Sequence, residues 1–391
     1  MRWTPQRLDQ LGYLARGRSR HRPRDAVHLY DGPYPFIQTG DVKHAGLYIT
    51  EHQQTYSEAG LEQSRLWPSG TLCITIAANI ADTAILGFDA CFPDSVIGFI
   101  PDPSKADARF VKYLFNATIQ RQVQQFTQGA AQDNLSQEKL VSIGFSIPAV
   151  DEQKTIADIL SAYDDLIENN QRRMALLEDA ARQLYREWFV RLRFPGHEHT
   201  RITNGVPEGW ERVQLGDLAE ITMGQSPESK HYNQDGEGLP FHQGVTDFGH
   251  RFVTHRIYTT ALNRVAEASD ILCSVRAPVG RLNVTLGKIV IGRGLAALRS
   301  KTGHQSLLLQ QLRAHFFKED LIGGGAIFAS VTKKEFSAQG ILEPPELLKR
   351  AFEEMTVPCD DEIRVLHIQN HQLRAARDLL LPRLMSGEIA A

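Results

Sequence analysis

The chain has 391 residues, of which 42% are hydrophobic and 23% are charged, and its net charge is −3, as in an ordinary globular protein of two or three domains. The negative charge argues weakly against a protein that coats nucleic acid alone, but it leaves room for a local basic surface or a basic partner. No run of 18 apolar residues predicts a transmembrane helix, the first residues lack the apolar core of a signal peptide, and the four scattered cysteines predict a reduced, cytoplasmic protein.

The first distinctive segment is basic. Between Arg16 and Arg24, an arginine at every second position alternates with Gly, Ser, His and Pro. Major-groove recognition uses Arg, Asn, Gln and short hydroxyl side chains on loops, and alternating Arg with Gly and Ser keeps a loop able to follow a DNA backbone. The alternative is a solvated basic turn. In this half of the chain we predict DNA contacts from Arg16, Arg18, Ser19, Arg20, Thr39, Asp41 and Asn79.

A long helix is predicted after Pro148. Apolar residues recur at spacings of three and four from Ile156 to Trp188, which is a heptad pattern. Asp151 and Glu152 suit the positive N-terminal end of such a helix. The sequence Phe-Pro-Gly at residues 194–196 ends it.

The second half contains a comparable set of polar residues on predicted loops. For each of them, surface exposure or core packing is as good an explanation as DNA contact. The candidates are Thr222, Gln225, Ser226, His242, Gln243, Arg276 and Arg293. A second heptad-like helix follows from Ile363 to Leu384, and Pro382 kinks or ends it.

The two halves repeat each other weakly but in order, with an offset near 200. Trp3 matches Trp210, residues 70–74 match residues 270–274, and Asn170 on the first helix matches Asn370 on the second. We therefore predict two similar domains, each containing short β-rich runs and followed by a long helix. The predicted boundaries are residues 1–150, 151–194, 195–345 and 346–391.

The two helices are predicted to pack lengthwise and antiparallel. A buried Asn on each seam costs stability but fixes the register of paired helices. The alternative is that each helix packs only on its own domain. The predicted helix-pairing residues are Leu160, Tyr163, Ile167, Asn170, Leu177, Leu184, Ile363, Leu366, Asn370, Leu373 and Leu380.

Catalytic motifs are missing from the sequence. It has no nucleophile elbow, Walker A loop or H-E-x-x-H, and neither the target-base tetrapeptide nor the S-adenosylmethionine loop of adenine methyltransferases. Asp102 with Glu152 and Lys154 superficially resembles a magnesium nuclease, but Glu152 and Lys154 fall in the first turn of a helix. The His-Glu-His run at residues 197–199 lacks a third metal ligand nearby. We expect no catalytic residue, metal or cofactor; the alternative is a self-contained DNA nuclease or methyltransferase.

Several segments of the chain carry a family resemblance. Residues 148–157 and 166–171 resemble the central conserved region of type I restriction specificity subunits, and residues 379–389 resemble their C-terminal region. Residues 206–218 resemble the opening of the second target-recognition domain of that family, and residues 17–24 and 36–42 resemble segments near the DNA.

The resemblance implies an α+β fold with two duplicated target-recognition domains separated by two long antiparallel coiled-coil helices. It also implies a non-catalytic subunit, in which each domain recognises one half of a bipartite double-stranded DNA target. The implied protein partners are two methyltransferase subunits, docked on the helices, and restriction subunits that act as translocase and nuclease. No membrane association is implied.

Overall fold

The computed structural model describes residues 3–77, 80–127, 137–316 and 330–391. For residues 119–127 it describes the backbone alone. The chain divides into two compact units. The first unit contains residues 1–172 and 367–391, and the second contains residues 173–366. Within the described ranges, no helix is both long and apolar enough to span a bilayer.

Both units combine short helices and strands with segments of two long helices. The helices are α1 (Leu8–Leu11), α2 (Thr39–His44), α3 (Glu58–Glu62), α4 (Ala108–Thr127), α5 (Gln137–Ser142), α6 (Val150–Tyr185), α7 (Leu215–Leu218), α8 (Gln305–Phe316), α9 (Lys333–Ser337) and α10 (Glu346–Met385). A π-helical turn over Arg186–Val190 extends α6.

The described residues of the first unit form three sheets, ordered β1-β11, β2-β10-β7-β8-β4 and β5-β3-β9-β6. Its strands are β1 (Thr4–Arg7), β2 (Gly12–Arg16), β3 (Tyr30–Phe36), β4 (Tyr48–Ile49), β5 (Gln54–Tyr56), β6 (Leu66–Trp67), β7 (Leu72–Thr75), β8 (Thr83–Leu86), β9 (Ala90–Cys91), β10 (Val96–Pro101) and β11 (Gly144–Ile147).

The second unit contains sheets ordered β14-β24, β15-β23-β20-β21 and β16-β18-β17-β22-β19, and a hairpin β12-β13. Its strands are β12 (Ile202–Thr203), β13 (Val206–Pro207), β14 (Glu211–Gln214), β15 (Ala219–Met223), β16 (Tyr232–Asn233), β17 (Leu239–His242), β18 (Tyr258–Thr259), β19 (Val265–Ala266), β20 (Ile271–Ser274), β21 (Leu282–Val284), β22 (Ile289–Ile291), β23 (Leu295–Ser300) and β24 (Gly340–Glu343).

The internal topology of the second unit repeats that of the first. The order β2-β10-β7-β8 is matched by β15-β23-β20-β21, and β5-β3-β9-β6 is matched by β18-β17-β22-β19. In the second of these matched sheets, the two central strands run parallel in both units: β3 with β9, and β17 with β22. The predicted fold class, α+β with two duplicated domains and long antiparallel helices, is confirmed.

Two equivalent hairpins establish the register of the duplication. In the first unit the main-chain N–H of Asp82 donates to Thr75 Oγ1 at 3.0 Å. In the second unit the main-chain N–H of Arg281 donates to Ser274 Oγ at 2.9 Å. A hydroxyl residue therefore closes the same turn in both copies, and Thr75 is structurally equivalent to Ser274.

This register corrects the sequence match by one residue. The match paired Cys73 with Cys273, whereas the structure makes Cys73 equivalent to Leu272, and Ile74 equivalent to Cys273. A slip of one residue moves a side chain to the other face of a strand. Because β7 and β20 are buried on both faces, their sequences lack the polar alternation that marks a register.

The long helices pair antiparallel within each unit. In the first unit Asn170 Nδ2 donates to Asn370 Oδ1 at 3.0 Å, and Asn370 Nδ2 donates to the carbonyl of Ile167 at 3.2 Å. Both amides are buried, and these two bonds give a partner to Asn170 Nδ2 and to both ends of the Asn370 amide. Of the predicted helix-pairing residues, Leu160, Ile167, Asn170, Ile363, Leu366 and Asn370 are buried, and Tyr163, Leu177, Leu184, Leu373 and Leu380 are partly buried.

Pro382 does not end the second long helix. Helix α10 continues to Met385, and it also contains Pro358. After Pro382, Leu384 and Met385 are buried in the core of the first unit. Packing of these two residues offsets the cost of a proline in the last turn.

Candidate DNA-recognition loops

In the first unit, β2 continues into an extended segment in which the side chains alternate. Arg16, Arg18 and Arg20 are exposed, whereas Gly17 and Ser19 are buried. The segment is held to the sheet by bonds from the Gly17 N–H to the Val96 carbonyl at 2.9 Å and from the Arg18 N–H to the Phe92 carbonyl at 3.0 Å. Period-two alternation therefore directs the three guanidinium groups outward together.

A glycine permits this close approach in both units. A Cβ atom at Gly17 would lie 2.3 Å from the Phe92 carbonyl oxygen, and one at Gly224 would lie 2.1 Å from the Gly292 carbonyl oxygen. In the second unit the Gln225 N–H donates to the Ile291 carbonyl at 2.9 Å. Gln225 therefore occupies the place of Arg18. Sequence reasoning missed this role of the glycines, although each stands directly before a predicted contact residue.

The remaining basic residues of the loop contact their own unit. Arg22 Nη1 donates to the Ser19 carbonyl at 2.8 Å, and Arg24 forms a 3.0 Å ion pair with Asp94. The exposed Arg16, Arg18 and Arg20 form no ion pair with any residue that the structure describes. Ser19 is only 7% exposed, so the structure places its side chain inside the unit rather than at the surface where we predicted it.

Thr39 and Asp41 lie in the first turn of α2. An Asp41 carboxylate oxygen accepts the main-chain N–H of Gln38 at 2.7 Å, which caps this helix end. The structure therefore gives Asp41 a capping role, while the exposed side chain between β3 and α2 belongs to Gln38. Sequence reasoning did not select Gln38. Asn79 lies outside the described residues.

In the second unit, four predicted residues from three distant segments converge. Ser226 Oγ donates to Gln243 Oε1 at 2.8 Å and accepts the main-chain N–H of Arg293 at 3.2 Å. Gln225 is adjacent in the chain to Ser226, and the side chains of Gln225, Gln243 and Arg293 are exposed. This group, called the glutamine cluster below, offers amide and guanidinium donors on one surface.

His242 is buried, which differs from its predicted place on a DNA-facing loop. Its side chain is inaccessible, and Nε2 lies 3.0 Å from Nδ1 of His255. Burial, with a smaller contribution from His255, lowers the pKa of His242 to about 4, although Asp247 opposes the shift. The ring is therefore neutral at physiological pH. It fills the position that Ile37 occupies in the first unit.

Thr222 and Arg276 lie elsewhere in the second unit. Thr222 is half-buried on β15 opposite Ala297. Arg276 is exposed after β20 and forms an isolated β-bridge with Ser330. The structure does not bring either side chain into the glutamine cluster.

Two of the three nuclease-like residues are engaged in structural contacts, Asp102 with Ser104 and Lys105, and Lys154 with Asp151. Hydrogen bonds from Ser104, together with Lys105, lower the pKa of Asp102 to about 2. Gln153 is buried and donates to the carbonyls of Lys105 and Pro148. Among the residues described, no group of three or more His, Cys, Asp or Glu side chains is arranged to hold a metal ion.

Comparison with known proteins places these features in a family. Residues 2–179 and 207–346 match the family model described as type I restriction modification DNA specificity domain. The chain is 32% identical over 296 residues to the protein named as the specificity subunit of type I restriction enzyme MjaX from Methanocaldococcus jannaschii, covering 74% of this chain and 70% of that protein.

Two further likenesses cover nearly the whole chain. The MjaIX specificity subunit of the same organism is 22% identical, with 99% of this chain and 93% of that protein covered. The crystal structure of a type I restriction-modification S subunit from M. genitalium superposes with a TM-score of 0.64 at 16% identity, covering 98% of this chain and 96% of that one. The latter likeness concerns the fold.

Proposed function

The chain belongs to the type I restriction-modification DNA specificity family, and from this premise we propose that each of its two target-recognition domains recognises one half of a bipartite double-stranded DNA target. We assign residues 1–150 and 195–345 to these domains, and residues 151–194 and 346–391 to the helices. The observation that carries the proposal is the duplicated loop at the ends of β2 and β15, which exposes Arg18 in one copy and Gln225 in the other.

The two loops supply different recognition chemistry. In the first domain, Arg16, Arg18 and Arg20 offer charged donors for phosphate oxygens or for guanine in the major groove. In the second domain, the glutamine cluster offers mainly neutral amides with the single charge of Arg293. Different side chains on an equivalent framework give the two half-sites different sequences.

The protein partners follow from the family. We infer that two methyltransferase subunits dock on α6 and α10, and that restriction subunits join this assembly. Large apolar side chains exposed on these helices support docking, including Leu176 at 70% and Leu379 at 72% exposure. The partners contribute phosphate contacts, which accounts for the low net charge of this chain. Such an assembly acts on DNA in the cytoplasm.

The purified chain is expected to be catalytically inactive. We expect neither DNA methylation nor cleavage when it is incubated with DNA, S-adenosylmethionine, ATP and magnesium, because its sequence lacks the cofactor and metal motifs of such enzymes. Incorporation of labelled methyl groups and gel analysis of DNA ends measure both reactions. The reconstituted complex with methyltransferase subunits is the positive control, and methyl transfer by the isolated chain contradicts the proposal.

Arg18→Ala combined with Arg20→Ala is expected to weaken DNA binding through the first half-site. If both residues bind phosphates, the slope of log affinity against log salt becomes shallower by about 2. If either reads a base, discrimination at that base falls by about 1–3 kcal/mol. Binding of the complex with methyltransferase subunits is measured by fluorescence anisotropy over a range of salt concentrations.

Arg24→Ala is the matched control, because this arginine of the same loop is already paired with Asp94. Arg24→Ala is expected to change the salt slope by less than half as much as the double variant does. If the double variant keeps both the affinity and the salt slope of the wild type, the loop is a solvated basic turn.

A further inference from the structure

Two glutamines occupy the same structural position in the two units. Gln38 follows β3 and Gln243 is the first residue after β17. The parallel pairing of Phe36 with Cys91 in one unit corresponds to that of Phe241 with Val290 in the other. Both glutamine side chains are exposed, and the residue before each is buried. Each amide is therefore presented at the end of a strand that is anchored in the core.

The contacts of Gln243 fix which end of its amide faces outward. The main-chain N–H of Arg293 can only donate, and Ser226 Oγ accepts it at 3.2 Å. Ser226 Oγ in turn donates its hydroxyl proton to Gln243 Oε1 at 2.8 Å. Oε1 also lies close to Gly292, where a Cβ atom would be 2.7 Å away. The amide carbonyl is therefore held against the protein, and the Nε2 donors face outward.

Gln38 has the opposite arrangement. Its Nε2 donates to Gln54 Oε1 at 2.6 Å. Its main-chain N–H donates to an Asp41 carboxylate oxygen, and this bond fixes the backbone that carries the side chain. One of the two N–H groups of the amide is thus engaged within the unit, and the carbonyl oxygen Oε1 is the acceptor that the side chain offers.

We propose that Gln38 and Gln243 read base edges of opposite hydrogen-bonding polarity. Gln243 donates to an acceptor in the second half-site, such as guanine O6, thymine O4 or a purine N7. Gln38 accepts from an exocyclic amino group in the first half-site, adenine N6 or cytosine N4. This inference rests on the proposed function, and it adds the chemical class of base that each domain selects.

The same substitution is expected to act differently at the two positions. Glutamate has nearly the shape of glutamine, but its ionised carboxylate accepts hydrogen bonds and cannot donate them. Gln243→Glu removes the outward donor, so discrimination at one position of the second half-site should fall on the order of 10-fold to 100-fold, with preference moving toward adenine or cytosine. Gln38→Glu keeps an acceptor, so the base preference in the first half-site should persist even where overall affinity falls.

The experiment selects bound DNA from a library with both half-sites randomised, using the full chain assembled with its methyltransferase subunits. Gln38→Met, whose thioether is only a weak acceptor, should lose the first half-site preference that Gln38→Glu keeps. Gln214→Glu, an exposed position on β14 and outside the proposed contacts, controls for the added charge. Ser226 is a positioning residue: Ser226→Ala should broaden the preference at the Gln243 position by allowing the amide to rotate, and Ser226→Thr should restore it.

The outcomes separate this inference from the proposed function. A wild-type complex without any sequence preference refutes the proposed function itself. A wild-type preference that Gln243→Glu leaves unchanged, or that Gln38→Glu and Gln243→Glu lose in the same manner, overturns the inference of opposite polarity alone.

Discussion

Replacing Arg251 by methionine is expected to destabilise the second unit by about 3–5 kcal/mol. The Arg251 side chain is 6% exposed, and its guanidinium lies 2.5 Å from Asp360 on α10 and 3.5 Å from Glu178 on α6. Asp360 also bonds Ser306, and Glu178 also pairs with Arg313. Methionine approximates the arginine stem but leaves the largely buried Asp360 carboxylate without its cation and removes one of the cations beside Glu178. The uncompensated charge of Asp360 is what destabilises.

The matched control is Arg364→Met. Arg364 pairs with Asp361 at 2.9 Å, and both side chains of that pair are about half exposed. Exposed pairs contribute about 0–1 kcal/mol, so this variant should unfold nearly as the wild type does. Hydrogen exchange of the full chain, followed by mass spectrometry, reports the opening free energy of each unit separately.

A functional readout accompanies the stability measurement. With Arg251→Met, recognition of the second half-site should fail at a lower temperature than recognition of the first. If exchange in the second unit changes no more than with Arg364→Met, the buried network does not stabilise that unit as we expect.

Trp67→Ala is expected to destabilise the first unit by about 3–5 kcal/mol. The indole is fully buried and stacks on Phe92 with ring centroids 4.9 Å apart. The guanidinium of Arg65 lies 4.2 Å from the centroid of the indole ring. Removing the indole leaves a cavity beside Phe92, whose carbonyl accepts the Arg18 N–H. The loss should therefore disorder the arginine loop before the rest of the unit unfolds.

Leu66→Ala is the matched control, because Leu66 is the neighbouring residue on β6 and is 38% exposed. This change should cost well under half as much as Trp67→Ala. Trp67→Phe, which leaves a smaller cavity, should fall between them. Thermal unfolding and hydrogen exchange of the full chain measure the series, and equal effects of Trp67→Ala and Leu66→Ala would show that the stack does not support the loop.

Several features of this protein could be predicted from the sequence because they depend on local spacing. The heptad positions of α6 and α10 predicted two long helices and singled out Asn170 and Asn370, which bond to each other. The alternation of Arg with small residues predicted a basic loop, and the structure shows Arg16, Arg18 and Arg20 exposed along it. A strand of period two and a helix of period 3.6 leave such patterns in any stretch of sequence.

Contacts between distant segments were decided only by the tertiary structure. The glutamine cluster joins Ser226, Gln243 and Arg293 from three strand ends, and no local pattern indicates that they meet. Burial of Ser19 and His242 depends on neighbours far along the chain, so their polarity alone was misleading. The residue-by-residue alignment of β7 with β20 could not be predicted from the sequence either. Strands buried on both faces carry no alternation of polar and apolar residues that would mark the register.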